Sequence, residues 1–132
     1  MMDKDPKVNA SKTADIVNNA AQQTKKTNEL SMQQTMSLIM NAGNARAFAK
    51  EGIEAAKKGD FDTAHKKIKA ANEALVEAHN TQTGMLTQEA RGNHVQLTLL
   101  VVHAQDHLMT AITYIDLAEE IINVYEKFTN QD

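Results

Sequence analysis

An all-α protein, folded as an antiparallel up-down-up bundle of three helices, is what this sequence predicts, and three observations carry that expectation. The composition is helix-forming: Ala, Leu, Lys, Glu and Gln abound, with a single Pro among 132 residues. Apolar residues recur at alternating spacings of three and four over long stretches, the rhythm of one buried helix face. Two clusters of breakers, "KKGDF" and "EARGNH", cut that rhythm into three parts.

Residues 1–30 are polar, rich in Asn, Gln, Thr and Lys, with no sustained stripe, and read as a mobile N-terminal tail with at most a fraying turn near Thr13 to Gln23. The domain proper is then 31–132. Its first helix is expected from about Ser31 to Lys58, with an inner face of small residues (Leu38, Ala42, Ala45, Ala49, Gly52 and Ala56) that lets a neighbour come close. Lys57 and Lys58 suit the negative end of that helix, Gly59 its left-handed C′ position, and Asp60 the cap of the next. The second helix carries Phe61, Ala64, Ile68, Ala71, Leu75, Ala78, Gln82 and Met85 inward and stops at Gly92 and Asn93. The third, from about Val95 to Phe128, keeps a heptad stripe of Leu97, Val101, Ala104, Leu108, Ala111, Ile115, Ala118, Ile122 and Tyr125.

Composition also excludes function classes. A formal net charge of -3 offers no field for nucleic acid, and 4% aromatics without Trp leaves no base-stacking platform. With no cysteine there are no disulfides, thiolate metal sites or thiol nucleophiles. No apolar stretch approaches the roughly 20 residues of a membrane span, and the N-terminus lacks the apolar core of a signal sequence, so a cytoplasmic protein without membrane insertion is expected. No GxxxxGK[ST] occurs, so no nucleotide cradle is expected.

The chemistry concentrates in "VVHAQDHLMT", Val101 to Thr110. Besides the bundle stripe, the third helix carries a second line of Leu99, Val102, Asp106, Met109 and Thr113, which needs another partner and implies self-association along this helix. Asp106 in that line would have to be paired, protonated or bound to a cation, unless it turns sideways into water. His103 and His107 share a helix face at i, i+4, with Asp106 beside them. Spacing alone leaves a transition-metal site, a nucleophilic imidazole and an inert pair all open. A zinc site lacks further ligands, since neither HExxH nor Glu-x-x-His occurs. A neutral imidazole can attack phosphorus if its other nitrogen is held by an acceptor. Gln82 at a core position needs a buried partner, and His79 beside it is placed to border the same site as His103.

Taken together, "NAGNAR" (Asn41 to Arg46), "GDF" (Gly59 to Phe61), "EAHNTQTGML" (Glu77 to Leu86) and "VVHAQDHLMT" resemble the IIA component of the lactose/cellobiose class of the bacterial sugar phosphotransferase system, over about Met32 to Phe128. The resemblance implies a homotrimer joined through the third helix. It implies that His103 accepts a phosphoryl group from phospho-HPr and passes it to a cysteine of the IIB component. Gln105 and His107, near it in sequence, and His79 and Gln82, at the facing end of the second helix, are the expected supporting residues. It also implies that Asp106, one per subunit at the trimer axis, holds a divalent cation, Mg2+ being the expected ion. No nucleotide or organic cofactor is implied. The sugar is expected to be a β-linked disaccharide, of cellobiose or chitobiose type rather than lactose. Two rival readings are a non-catalytic metal-binding helical scaffold and a histidine phosphotransfer relay domain; the latter usually carries Lys, then Gly, where this chain has Asp106 and His107.

Overall fold

The structure is a computed structural model of the single chain and describes residues 6–130. Three helices follow one another: α1 (Pro6–Lys57), α2 (Phe61–Ala90) and α3 (Leu99–Thr129). The chain divides into two units, Met1–Gln33 and Gln34–Asp132.

In the first unit the structure departs from the sequence expectation. Helix begins at Pro6, not near Ser31. Pro6 is pre-set for a first helical position, where its missing N–H costs nothing. No Gly or further Pro follows until Gly43. Thr24 and Thr27 donate their hydroxyls to the carbonyls of Ala20 and Gln23, each at 2.9 Å, so these polar side chains are accommodated inside the helix. Side chains 10–29 are all exposed, which is why no burial stripe advertised the helix. Residues 1–5 of the expected tail lie outside the described residues.

The second unit is the expected bundle. Its lower core joins Ala45, Ala49 and Ala56 of α1, Ala64, Ile68 and Ala71 of α2, and Ile115, Ala118 and Ile122 of α3. Its upper core joins Leu38 and Ala42, Ala78 and Met85, and Ala104, Leu108 and Ala111. The Leu38 to Ala42 stretch of α1 thus meets late α2 and early α3, and the Ala56 end meets early α2 and late α3, so this part of α1 runs parallel to α3 and antiparallel to α2. Gly52 is required by this packing. A β-carbon there would stand 3.2 Å from the Ala64 carbonyl oxygen and 3.3 Å from Ile122 Cδ1. Gly52→Val is therefore expected to cost about 1–3 kcal/mol through overpacking, read as a lower midpoint in urea unfolding.

Both connections are built alike. At the end of α1 the Gly59 N–H donates to the Ala56 carbonyl at 3.0 Å and the Asp60 N–H to Ala55 at 3.0 Å, with Gly59 at φ +77. At the end of α2 the Gly92 and Asn93 N–H groups bond the Glu89 and Gln88 carbonyls, both at 3.0 Å, with Gly92 at φ +88. Each is a Schellman motif with glycine at the left-handed position. Asp60 caps α2 by accepting from the Thr63 N–H at 3.1 Å, and Thr98 caps α3 by accepting from Val101 at 3.2 Å.

The Thr98 cap corrects one boundary. α3 starts at Leu99 rather than about Val95, so Leu97 falls in the connection and is 81% exposed instead of in the core stripe. At the far end Tyr125, expected in the core stripe, is 39% exposed rather than buried.

Candidate functional site

The site residues sit in the first two and a half turns of α3, where the upper core fixes the helix. Val101, Ala104 and Leu108 point inward, and everything between them is assigned a flank by the helical repeat. His103 and His107 form a row with Thr110 and Tyr114 on the flank beside α1, since the Arg46 guanidinium of α1 stands 5.1 Å from the Tyr114 ring centroid. Gln105, about 200° round the helix from His103 at 3.6 residues per turn, faces α2 instead. Leu99, Val102, Asp106, Met109 and Thr113 make a third line that faces away from the chain's own core.

The His103 and His107 rings meet edge to face, centroids 5.1 Å apart and planes at 81°. His103 is exposed, and neither of its ring nitrogens hydrogen-bonds to a described residue. The acceptor expected to hold its second nitrogen is thus absent among the described residues of this single chain. His107 is half-buried, and its Nδ1 is buried without a hydrogen-bond partner among the described residues. A buried N–H without an acceptor is costlier than a buried lone pair, so the neutral ring keeps its hydrogen on Nε2. Thr110 donates its hydroxyl to the carbonyls of Asp106 at 2.9 Å and His107 at 3.2 Å, closing over the turn between them.

The supporting residues separate into two groups. Gln82, 8% exposed, finds the partner its core position demanded: its Nε2 donates to Gln105 Oε1 at 2.7 Å. The sulfurs of Met109 and Met85 lie 3.7 and 3.8 Å from the Gln82 and Gln105 amide nitrogens. This polar lock ties α2 to α3 on the flank opposite His103. His79 is exposed on α2 beside it. Within one chain, therefore, His79, Gln82 and Gln105 are on one flank of α3 and His103 with His107 on the other.

Asp106 is exposed, and no described residue forms an ion pair with its carboxylate. No group of three or more His, Cys, Asp or Glu suited to one metal ion occurs among the described residues. A single chain thus offers a cation one carboxylate at this position. The third line does not end at Thr113, as the sequence reading had it. Leu117, Ile121, Val124 and Phe128 extend it along α3 at 58, 41, 53 and 66% exposure.

One arrangement escaped the sequence reading. Glu89, at the end of α2, accepts from His94 Nδ1 at 2.7 Å and from the Val95 N–H at 3.1 Å, which seats Val95 against the upper core just ahead of α3. The hydrogen bond from His94, then that from Val95, hold the Glu89 carboxyl below its ordinary range. Its folded pKa being lower than its unfolded one, the clamp contributes fully above the unfolded value. That contribution is lost as pH falls through the folded value. Glu89→Gln is expected to abolish that acid-side decrement in a stability-versus-pH series while changing stability little below both values. Glu89 and His94 are ordinary surface types five residues apart, and only the Gly92 turn brings them together.

An exposed imidazole with no hydrogen bond to a described residue, and a second ring against it, leaves a nitrogen lone pair open to a group brought by another molecule. The comparisons agree. The family described as "PTS system, Lactose/Cellobiose specific IIA subunit" matches residues 33–126. The lichenan-specific phosphotransferase enzyme IIA component of Bacillus subtilis (strain 168) is 49% identical over 104 residues, covering 79% of this chain and 94% of the relative. The crystal structure of the PTS cellobiose-specific enzyme IIA from Bacillus anthracis matches with TM-score 0.75 and 43% identity, over 77% of this chain and 94% of that one. The IIA(chitobiose) of Escherichia coli, solved in solution as a complex with HPr, matches with TM-score 0.66 and 36% identity over 75% and 96%. The chain belongs to the lactose/cellobiose-specific IIA family and is a component of a sugar phosphotransferase system. No helix among the described residues is long and apolar enough to cross a membrane.

Proposed function

We propose that this chain is the cytoplasmic phosphocarrier of a sugar-uptake phosphotransferase system, taking a phosphoryl group from phospho-HPr onto His103 and passing it to a cysteine of the cognate IIB component. The observation that carries the reading is the exposed His103 ring, which makes no hydrogen bond to a described residue, on a helix that the family match covers. The HPr complex of the Escherichia coli relative supports HPr as donor. In the first transfer, a lone pair of the neutral His103 ring forms a new N–P bond in line as the N–P bond to the donor histidine breaks. In the second, the IIB thiolate forms an S–P bond as the His103 N–P bond breaks, returning a neutral ring. Positioning and charge stabilisation dominate such transfers. The Nε2–H of His107, in the ring packed against His103, is a donor suited to a phosphoryl oxygen.

The exposed α3 line supports a homotrimer about that helix. Three copies of Asp106 would then converge, and their hard oxygen ligands and mutual repulsion fit a divalent cation, Mg2+ being the favoured ion. When bound, that ion neutralises the carboxylates and steadies the assembly. Chelation with EDTA is therefore expected to loosen the wild-type trimer in sedimentation equilibrium and to leave Asp106→Asn unaffected. The lichenan-specific and cellobiose-specific names of the relatives support a β-linked disaccharide of cellobiose or chitobiose type over lactose.

A chase experiment tests the relay. Radiolabelled phospho-carrier, freed of HPr and mixed with unlabelled IIB, should lose its label to the IIB cysteine. Label that stays on the carrier, with IIB otherwise competent, would contradict the acceptor assignment.

A further inference from the structure

We infer that Glu89 is a positioning residue for phosphoryl transfer: its carboxylate fixes the connection between α2 and α3, and through that connection the place of His103. The inference rests on the reading of His103 as the nucleophile and names a residue that serves it from another helix.

Little holds the His103 ring directly. It is exposed and makes no hydrogen bond to a described residue, so apart from the His107 ring beside it, its place is inherited from the α3 backbone. His103 opens the second turn of α3, close to the end where a helix frays. In-line transfer tolerates little misplacement, since an error of about 1 Å can cost about a hundredfold in rate. The start of α3 therefore has to be held from outside the helix.

Residues 91–98 lead into that start without helix. Arg91, Gly92 and Asn93 bond back to the last turn of α2, and Thr98 caps α3. Between them, among the described residues, both hydrogen bonds of the 94–97 stretch end on Glu89. His94 Nδ1 lies 2.7 Å from one carboxylate oxygen, and the Val95 N–H donates to the other at 3.1 Å. Val95 packs against the cluster that contains Ala104 and Leu108, the residues that follow His103 and His107 in the chain. As an isolated surface pair the His94 contact would count for little, with the two side chains 72 and 49% exposed. Its weight is geometric. Both oxygens are used, on neighbouring residues, so the chain between Gly92 and Thr98 is fixed in direction as well as attached. Glu89 thus acts through Val95 and the first turn of α3, not on the phosphoryl group.

The test is label uptake from radiolabelled phospho-HPr by Glu89→Ala and Glu89→Gln, over a range of donor concentrations. Glu89→Ala removes both contacts and should lower kcat roughly tenfold with KM for phospho-HPr unchanged. Glu89→Gln should recover the wild-type rate to within about twofold, because an amide can accept from the Val95 N–H and donate to His94 Nδ1 in its other tautomer. Ile122→Val, in the lower core, controls for stability alone: it should lower the urea midpoint and leave uptake at the wild-type rate. In the unphosphorylated protein, amide exchange at Val102, whose N–H donates to the Thr98 carbonyl, should quicken in Glu89→Ala and not in Glu89→Gln. Glu89→Ala at the full wild-type rate would overturn the inference. So would a loss confined to KM, which would make Glu89 a contact of the donor, or an equal loss of rate in Ile122→Val. A wild type that takes no label at His103 would overturn the phosphocarrier reading first, and this inference with it.

Discussion

His103→Ala should fold as the wild type does and accept no phosphoryl group. The ring is exposed and makes no hydrogen bond to a described residue, so its removal leaves no cavity in the upper core and no buried group unpaired. Helical content and urea midpoint should match the wild type within about 0.5 kcal/mol, because alanine is also the better helix former. The chemical effect should be complete, since the nucleophile itself is gone and no neighbouring group replaces a transferable N–P bond. His107→Gln gives the contrast. Its amide can present an N–H near the position of the lost Nε2, so transfer should be slowed yet retained. His107→Leu, which keeps bulk and loses the donor, should be slower still. Equal rates for the two would remove His107 from the chemistry and leave it a packing neighbour. The readout is the rate of label uptake from phospho-HPr at fixed protein concentration.

The second large effect is on stability. Leu108→Ala should cost about 2–5 kcal/mol, because a large side chain is lost from a closed site. Leu108 is fully buried, and the upper core around it is built mainly of alanines, namely Ala42, Ala78, Ala104 and Ala111. How far Leu38, Met85, Ile39, Leu75 and Ile112 around it shift into the void sets where in that range the loss falls. Against a typical stability of about 5–15 kcal/mol, the variant gives up a large fraction of the total. Asp106 lies on the same turn of α3 and His103 on the turn before it, so loosening this stretch should slow phosphoryl uptake as well. A urea midpoint unchanged from wild type would mean that the upper core collapses around the deletion.

The bundle was legible because burial leaves a periodic trace. Leu38, Ala42, Ala45, Ala49, Gly52 and Ala56 alternate by four and three, and all are buried. Gly59 and Gly92 announced the chain reversals because only a left-handed position demands glycine there. What left no trace was structure without burial. The helix before Ser31 has exposed side chains throughout residues 10–29, so its pattern carries propensity alone. Leu97 was misplaced because an apolar residue at heptad spacing looks the same on either side of a cap, and Thr98 decided it.

At the site, the sequence could require a partner for Gln82 but could not choose Gln105. It could set His103, Gln105 and Asp106 within four residues, yet their grouping depends on where the helix points. Successive side chains turn by about 100°, so these neighbours in sequence face α1, α2 and outward respectively. The unpaired Nδ1 of His107 is a tertiary fact with no signature in the chain.

The most direct measurement is phosphoryl transfer from radiolabelled phosphoenolpyruvate, with Enzyme I and HPr present, followed by mapping of the labelled peptide. The account predicts acid-labile, base-stable label on the peptide that contains His103, and none on His103→Ala. A folded wild type that stays unlabelled beside competent phospho-HPr, or that carries the label at His79 or His107, would contradict it.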